Sequence, residues 1–150
     1  HRRLKRSISQ FAEADGLVIE LSSIKNMVAD GWHLHWNHIK GMHPDLQKVK
    51  YDVSDDKTKD LEEKIKKIVE ELGKPVVFMN HQNRAKLKAR LTITEAIRNS
   101  NVVSFDPTML VDLHGFDQMM VDENHFSERM YEEVQKELIQ KLDLVFTEAK

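Results

Sequence analysis

An α/β fold, a parallel sheet with helices on its faces, is what this sequence predicts, and three observations carry it. Short apolar runs rich in β-branched residues (Leu17-Val18-Ile19-Glu20-Leu21, Val76-Val77-Phe78-Met79 and Val102-Val103-Ser104-Phe105) are bounded by turn residues, as buried strands are. Segments with apolar residues at helical spacing alternate with them. The resulting order is helix, strand, helix, strand, helix, strand, helix, the rhythm of a parallel sheet whose ligands bind beyond the carboxyl ends of its strands. A chain of 150 residues, 40% of them hydrophobic, holds one packed core, so residues 1–150 are expected to form a single domain.

Taken in order, each element has a local cause. Leu4, Ile8, Phe11 and Ala12 place an amphipathic helix over residues 2–14, lying on an apolar surface. Arg2, Arg3, Lys5 and Arg6 crowd the end where the helix dipole favours acids, and no capping residue precedes them, so this helix is expected to begin further upstream. Asp15 and Gly16 then lead into the first strand. From Ser22 to Asp56 no clean period survives, and Gly31, Gly41, Pro44, Trp32, Trp36, His33, His35, His38 and His43 all fall there. It reads as a long irregular excursion with room for one helical turn, a candidate substrate-covering or partner-binding segment.

Leu61, Ile65, Ile68, Val69 and Leu72 make the clearest helical stripe, with Glu62 to Lys66 and Glu63 to Lys67 set four apart for ion pairing. Gly73 stands where a left-handed cap belongs and Pro75 prevents continuation. Residues 84–98 carry Leu87, Leu91 and Ile97 among good helix formers, with Asn83 as the expected N-cap, and Asn99-Ser100-Asn101 is the following turn. Residues 106–124 read as loop with a short apolar turn from Met109 to Leu113. Met130, Val134, Leu138, Leu142 and Val145 mark a closing helix from Ser127.

Composition excludes whole classes of function. Lys and Arg (23) nearly cancel Asp and Glu (25), leaving no global field for nucleic acid or anionic lipid. No run approaches the roughly 18 apolar residues of a membrane helix. The chain has no cysteine, which rules out disulfides, thiolate metal sites and cysteine nucleophiles while leaving the compartment open.

Chemistry is expected at the carboxyl edge of the sheet. Asp122 and His125 stand three residues apart ahead of the closing helix, a step that lets the carboxylate reach the ring. One reading is a polarised base, in which Asp122 accepts the Nδ1 proton and His125 Nε2 takes a proton from a nucleophile. The other is a capped turn with His125 packed or facing solvent. His33, His35 and His38 have steps that suit zinc, yet no acid is interleaved, and the same residues with Trp32 and Trp36 also read as an aromatic loop over the sheet edge that contacts substrate or partner; no metal is assigned. Asn80 and His81 follow the second strand, where they either orient a ligand or cap the next helix. Asp112, His114 and Gly115 form a further polar cluster without an assigned role.

The segment Val121-Asp122-Glu123-Asn124-His125-Phe126-Ser127, with Tyr131 downstream, resembles the last block of the SGNH (GDSL-type) hydrolase superfamily, where an Asp and a His three residues apart precede the final helix. Residues 14–21, 74–79 and 101–106 are similar to that family's third, fourth and fifth strands. The resemblance implies a three-layer sandwich around a flavodoxin-like parallel sheet. It also implies an esterase or acyl transferase acting on a small-molecule or carbohydrate ester, with His125 as base then acid, Asp122 as its orienting partner and no cofactor.

The chain departs from the family in two places. There is no Gly-Asp-Ser type nucleophile motif, and after the third strand the family's Gly and Asn donors are met by Ser22-Ser23-Ile24-Lys25-Asn26, with Ser22 near the Gly position and Asn26 two residues late. Since residue 1 is His rather than Met, the first two strands and the serine are expected upstream. Ser22 and Ser23 are distant substitutes for that serine. Should 1–150 be the whole protein, the expectation becomes a non-catalytic binding or assembly domain on the same fold.

Overall fold

The computed structural model describes residues 10–29, 32–34, 50, 52–81, 87–123 and 125–148, with the backbone alone at 32–34 and 148. In chain order the elements are β1 (Leu17–Leu21), β2 (Lys25–Ala29), β3 (Trp32–Leu34), β4 (Asp52–Asp55), α1 (Thr58–Leu72), β5 (Val76–Asn80), α2 (Leu87–Asn99), β6 (Ser104–Phe105), α3 (Thr108–His114), α4 (Phe116–Met119) and α5 (Glu128–Glu148). Residues 10–13 are also helical.

The three expected strands form one parallel sheet in the order β1-β5-β6. Leu17 lies opposite Val76, Leu21 opposite Asn80, and Phe78 opposite Ser104, so the three carboxyl ends share an edge. Alternate side chains of β5 enter different cores, as strand geometry requires. Val76 and Phe78 pack with Leu61 and Ile65 of α1 and with Ile93, Ala96 and Ile97 of α2, joined by Leu17, Ile19 and Leu21. Met79 instead meets a second cluster of Phe105, Leu110, Val111, Met119, Met120, Met130 and Val134.

Helix α1 follows its sequence signals closely. Asp60 Oδ2 accepts the Lys57 backbone N–H at 2.9 Å, closing the first turn. At the other end Gly73 adopts φ 56° and its N–H donates to Val69 O at 3.3 Å, a left-handed cap that a Cβ would strain. The surface charges pair differently from expectation: Glu62 Oε1 accepts Asn99 Nδ2 at 2.7 Å, and Lys67 lies 3.7 Å from Glu71. An exposed i,i+4 pair contributes only a few tenths of a kcal/mol, so a neighbouring helix easily redirects it.

The segment from 22 to 56 corrects the expected irregular excursion. Its described residues include a second, antiparallel sheet in the order β3-β2-β4, with Met27 opposite both Leu34 and Val53. β2 carries a buried alternation, at Met27 and Ala29, whereas all four residues of β4 are exposed and left no apolar signal. Backbone pairing, rather than patterning, defines this sheet.

Three smaller corrections concern faces and lengths. Leu87 and Leu91 are 53% and 54% exposed, while α2 buries Ile93, Ala96 and Ile97. Residues 106–124 are not loop alone but hold α3 and α4, burying Leu110, Val111 and Met119 while Met109 and Leu113 face solvent. Phe11 is exposed too; Lys74 Nζ stands 5.7 Å from its ring and donates to the carbonyls of Phe11, Ala12 and Ala14, a cation satisfying the orphan acceptors at a helix end. Residues 1–9 and Asn83 lie outside the described residues.

Candidate functional site

Residues 119–127 fold back on themselves just before α5. Met120 and Phe126 form an antiparallel bridge, Val121 N donates to His125 O at 2.8 Å, and Ser127 N donates to Met119 O at 2.9 Å. The base of this turn is apolar and buried: Met119 and Met120 belong to the second core, and Phe126 packs edge-on against Tyr131 at 5.5 Å. Ser127 Oγ accepts the Met130 N–H at 3.2 Å, capping α5, and donates to Gln118 O at 2.7 Å, tying α4 to the cap.

On this base stand Asp122 and His125. Asp122 Oδ1 accepts the His125 backbone N–H at 3.0 Å, and His125 Nδ1 lies 2.8 and 2.7 Å from the two carboxylate oxygens. An ionised carboxylate only accepts, so Nδ1 carries the proton and Nε2 is the nitrogen that can take one. The Asp122–His125 side-chain contact and the capped turn therefore coexist, one carboxylate serving ring and backbone together. The side chains are 72% and 54% exposed, so solvent screens their mutual attraction and the value of the contact is tautomeric and geometric.

A second histidine–carboxylate pair lies at the same edge of the sheet. His81 continues β5, its backbone N–H donating to Leu21 O at 3.1 Å, and its Nδ1 hydrogen-bonds Glu20 Oε1. By strand alternation both residues lie on the face of the sheet that Met79 presents to α5, and both side chains are more sheltered than His125, at 28% and 41% exposure. Sequence reasoning places His81 at this edge, to orient a ligand or cap the next helix, but misses its partner Glu20; the available signal is an acid at an alternate position of an otherwise apolar strand, next to its carboxyl end.

The other expected site residues are dispersed. Ser22 is exposed beyond β1, and Ser23 Oγ accepts the Lys25 N–H at 3.1 Å. Asn26 lies in β2 and lines an open cleft of about 530 Å³ with Ser54, Asp55, Asp60 and Lys64, which includes neither Asp122 nor His125. Asn80 is 2% exposed and turns toward α2, its Nδ2 donating to Thr94 Oγ1 at 2.5 Å and Arg90 O at 3.4 Å; it neither caps that helix nor faces the His125 turn. Trp32 pairs opposite Ala29 and His33 opposite Val28 in the backbone register of β3. Trp36, His35, His38 and His43 lie outside the described residues. Among the described residues no group of three His, Asp or Glu side chains is placed to hold a metal ion, and no helix is long and apolar enough to cross a membrane.

Comparison with protein-family models, with curated proteins and with solved structures finds no match to this chain.

Proposed function

We propose that this chain carries the acid–base half of an SGNH-like esterase or acyl transferase, with Asp122 and His125 as its working pair. The supporting observation is the Asp122 carboxylate held within 2.8 Å of His125 Nδ1, which leaves Nε2 to exchange a proton with a reacting group. In this reading the parallel sheet is the flavodoxin-like centre of a three-layer sandwich, and β1 is its third strand. The substrate is a small-molecule or carbohydrate ester, an acetylated sugar being the preferred class.

The reaction has two halves, acylation of a serine and then attack on that acyl-serine by water or an acceptor alcohol with the serine oxygen leaving. Each half divides into two proton transfers through His125. In the first half His125 Nε2 takes the proton of a serine hydroxyl as that oxygen attacks the ester carbonyl, and Asp122 stabilises the imidazolium that forms. The imidazolium then returns the proton to the departing alkoxide. No Gly-Asp-Ser type motif within residues 1–150 supplies that serine.

Hydrolysis of p-nitrophenyl acetate by the natural gene product tests the pair. General acid–base catalysis contributes on the order of 10²–10⁴ in rate, so His125→Ala should remove turnover by that factor with an unchanged far-UV circular dichroism spectrum. Retained turnover in His125→Ala sinks the assignment. Intact mass after treatment with a fluorophosphonate should gain one adduct.

One observation favours a second reading. Asn26, which stands near the family's oxyanion donor, lines a cleft beside α1 rather than the His125 turn. A non-catalytic binding or assembly domain accounts for that dispersal, and under it Asp122→Asn leaves function intact and no adduct forms.

A further inference from the structure

A groove runs between α2 and the edge strand β6, with a volume of about 230 Å³. Asn80, Ser104 and Asp106 form its sheet side, and Thr94, Ile97 and Arg98 its helix side. Ser104 lies opposite Phe78, whose side chain enters the first core, so the groove belongs to the face packed by α1 and α2. The His125 turn packs into the second core. Phe105 borders both the groove and that core, but neither Asp122 nor His125 lines the groove, so its chemistry is independent of the acyl-transfer reading.

Asn80 gives the groove its chemical character. The side chain is almost wholly buried, its Nδ2 is spent on Thr94 and Arg90, and its Oδ1 has no hydrogen-bond partner among the described residues. A buried carbonyl oxygen in that condition selects for a ligand that donates. Asp106 is a second acceptor; its Oδ1 takes the Thr108 N–H at 3.0 Å and keeps lone-pair capacity for another donor. An anion has no proton for either group. The hydroxyls of Ser104 and Thr94 and the Arg98 guanidinium add groups that accept from or donate to a ligand oxygen, while Ile97 offers an apolar wall. The volume is below the roughly 300–1,000 Å³ of drug-sized pockets, which suits one small ring. Donors and acceptors on every side of an object with an apolar face describe a neutral sugar.

We propose that the groove between α2 and β6 binds a single neutral sugar ring, whose hydroxyls donate to Asp106 and, on a small turn of the Asn80 side chain that brings its closed-off oxygen into the groove, to Asn80 Oδ1. The test is a titration of the ¹⁵N-labelled natural gene product with D-glucose, D-galactose and D-ribose in turn, using sodium phosphate and methylammonium chloride as controls. At least one sugar should give saturable shifts of the Asn80 side-chain amide and the Ser104 backbone amide, with a dissociation constant in the millimolar range. Ser104→Val, which fills the groove from a partly exposed edge-strand position, should weaken that binding by about tenfold or more. Should Ser104→Val fail to fold, Asp106→Asn, which keeps an acceptor for Thr108, should weaken it in the same direction. Saturable shifts from phosphate or methylammonium alone overturn the proposal, as do sugar shifts that both variants leave unchanged, or no saturable shift from any sugar.

Discussion

At the scale of single residues, Asp122 does two jobs with one carboxylate, and they can be separated. Its oxygens hold both the backbone N–H and the ring Nδ1 of His125. Asp122→Asn keeps an acceptor for the backbone but offers an N–H₂ group to the ring, and the preference for the Nδ1-protonated tautomer should fall. Imidazole ¹⁵N shifts at neutral pH should show His125 predominantly Nδ1-protonated in the wild type and mixed in Asp122→Asn; identical spectra would remove the orienting role. The pair could be read in the sequence because its contact is local, within one turn of chain. Glu20 and His81 are 61 residues apart, and only the pairing of β1 with β5 brings them together. Asn80 could be placed on the functional edge but not on a face, because the residue where β5 begins sets which side each later residue takes. Gly73 belongs to the legible group: at φ 56° with no heavy atom near its missing Cβ, Gly73→Ala should cost about 1 kcal/mol from backbone strain alone. A urea midpoint unchanged by that substitution would contradict the cap.

Among the elements, those with a strong local signal matched expectation and those defined by partners did not. Helix α1 has a stripe and a glycine cap, and each is where the sequence places it. Strand β4 is Asp-Val-Ser-Asp with every residue exposed, so only its pairing with β2 makes it a strand. In α2, Leu87 and Leu91 mislead because propensity and hydrophobicity do not say which stripe meets the sheet. Helix α5 allows two tests. Ser127→Ala removes the cap and the tie to Gln118, and should cost about 1 kcal/mol, or roughly 2–4 °C in Tm for a chain of this size. Further along, Lys136 lies 2.8 Å from Glu133. The hydrogen bond from that ammonium is the largest cause lowering the Glu133 pKa, and the same bond raises that of Lys136. A lowered carboxylate pKa adds stability above the ordinary carboxylate range, lost as pH falls through the lowered value; the raised lysine loses its share only as pH rises through its own. Carbon-detected NMR titration should therefore find the Glu133 pKa moving up in Lys136→Met; an unchanged Glu133 titration would remove the bond's role.

For the whole molecule, the question is how the antiparallel sheet is joined to the parallel one, and Ile24 is the clearest link. It follows β1 by three residues and is 4% exposed in the first core beside Leu61 and Ile65. Its carbonyl accepts the Asp56 N–H at 2.7 Å, just after β4, and Asp56 in turn pairs with Lys64 of α1 at 2.6 Å. One residue thus contributes a side chain to the α/β core and a backbone acceptor to the closure of the second sheet. Ile24→Ala should cost about 2–5 kcal/mol, as truncations of buried aliphatics do. Its distribution is more informative than its size. Trp32 lies in β3, so its emission, read in a Trp36→Phe background, reports on the antiparallel region, whereas far-UV circular dichroism is dominated by α1, α2 and α5. In that background the two urea transitions should coincide, as they do for a single cooperative unit. In Ile24→Ala the emission transition should move to lower urea than the helical one, because the helices keep Leu61, Ile65, Phe78 and Ile93 while the second sheet loses its anchor. Two transitions that shift together by the same amount would mean that other contacts join the sheets and that Ile24 stabilises the core without coupling them.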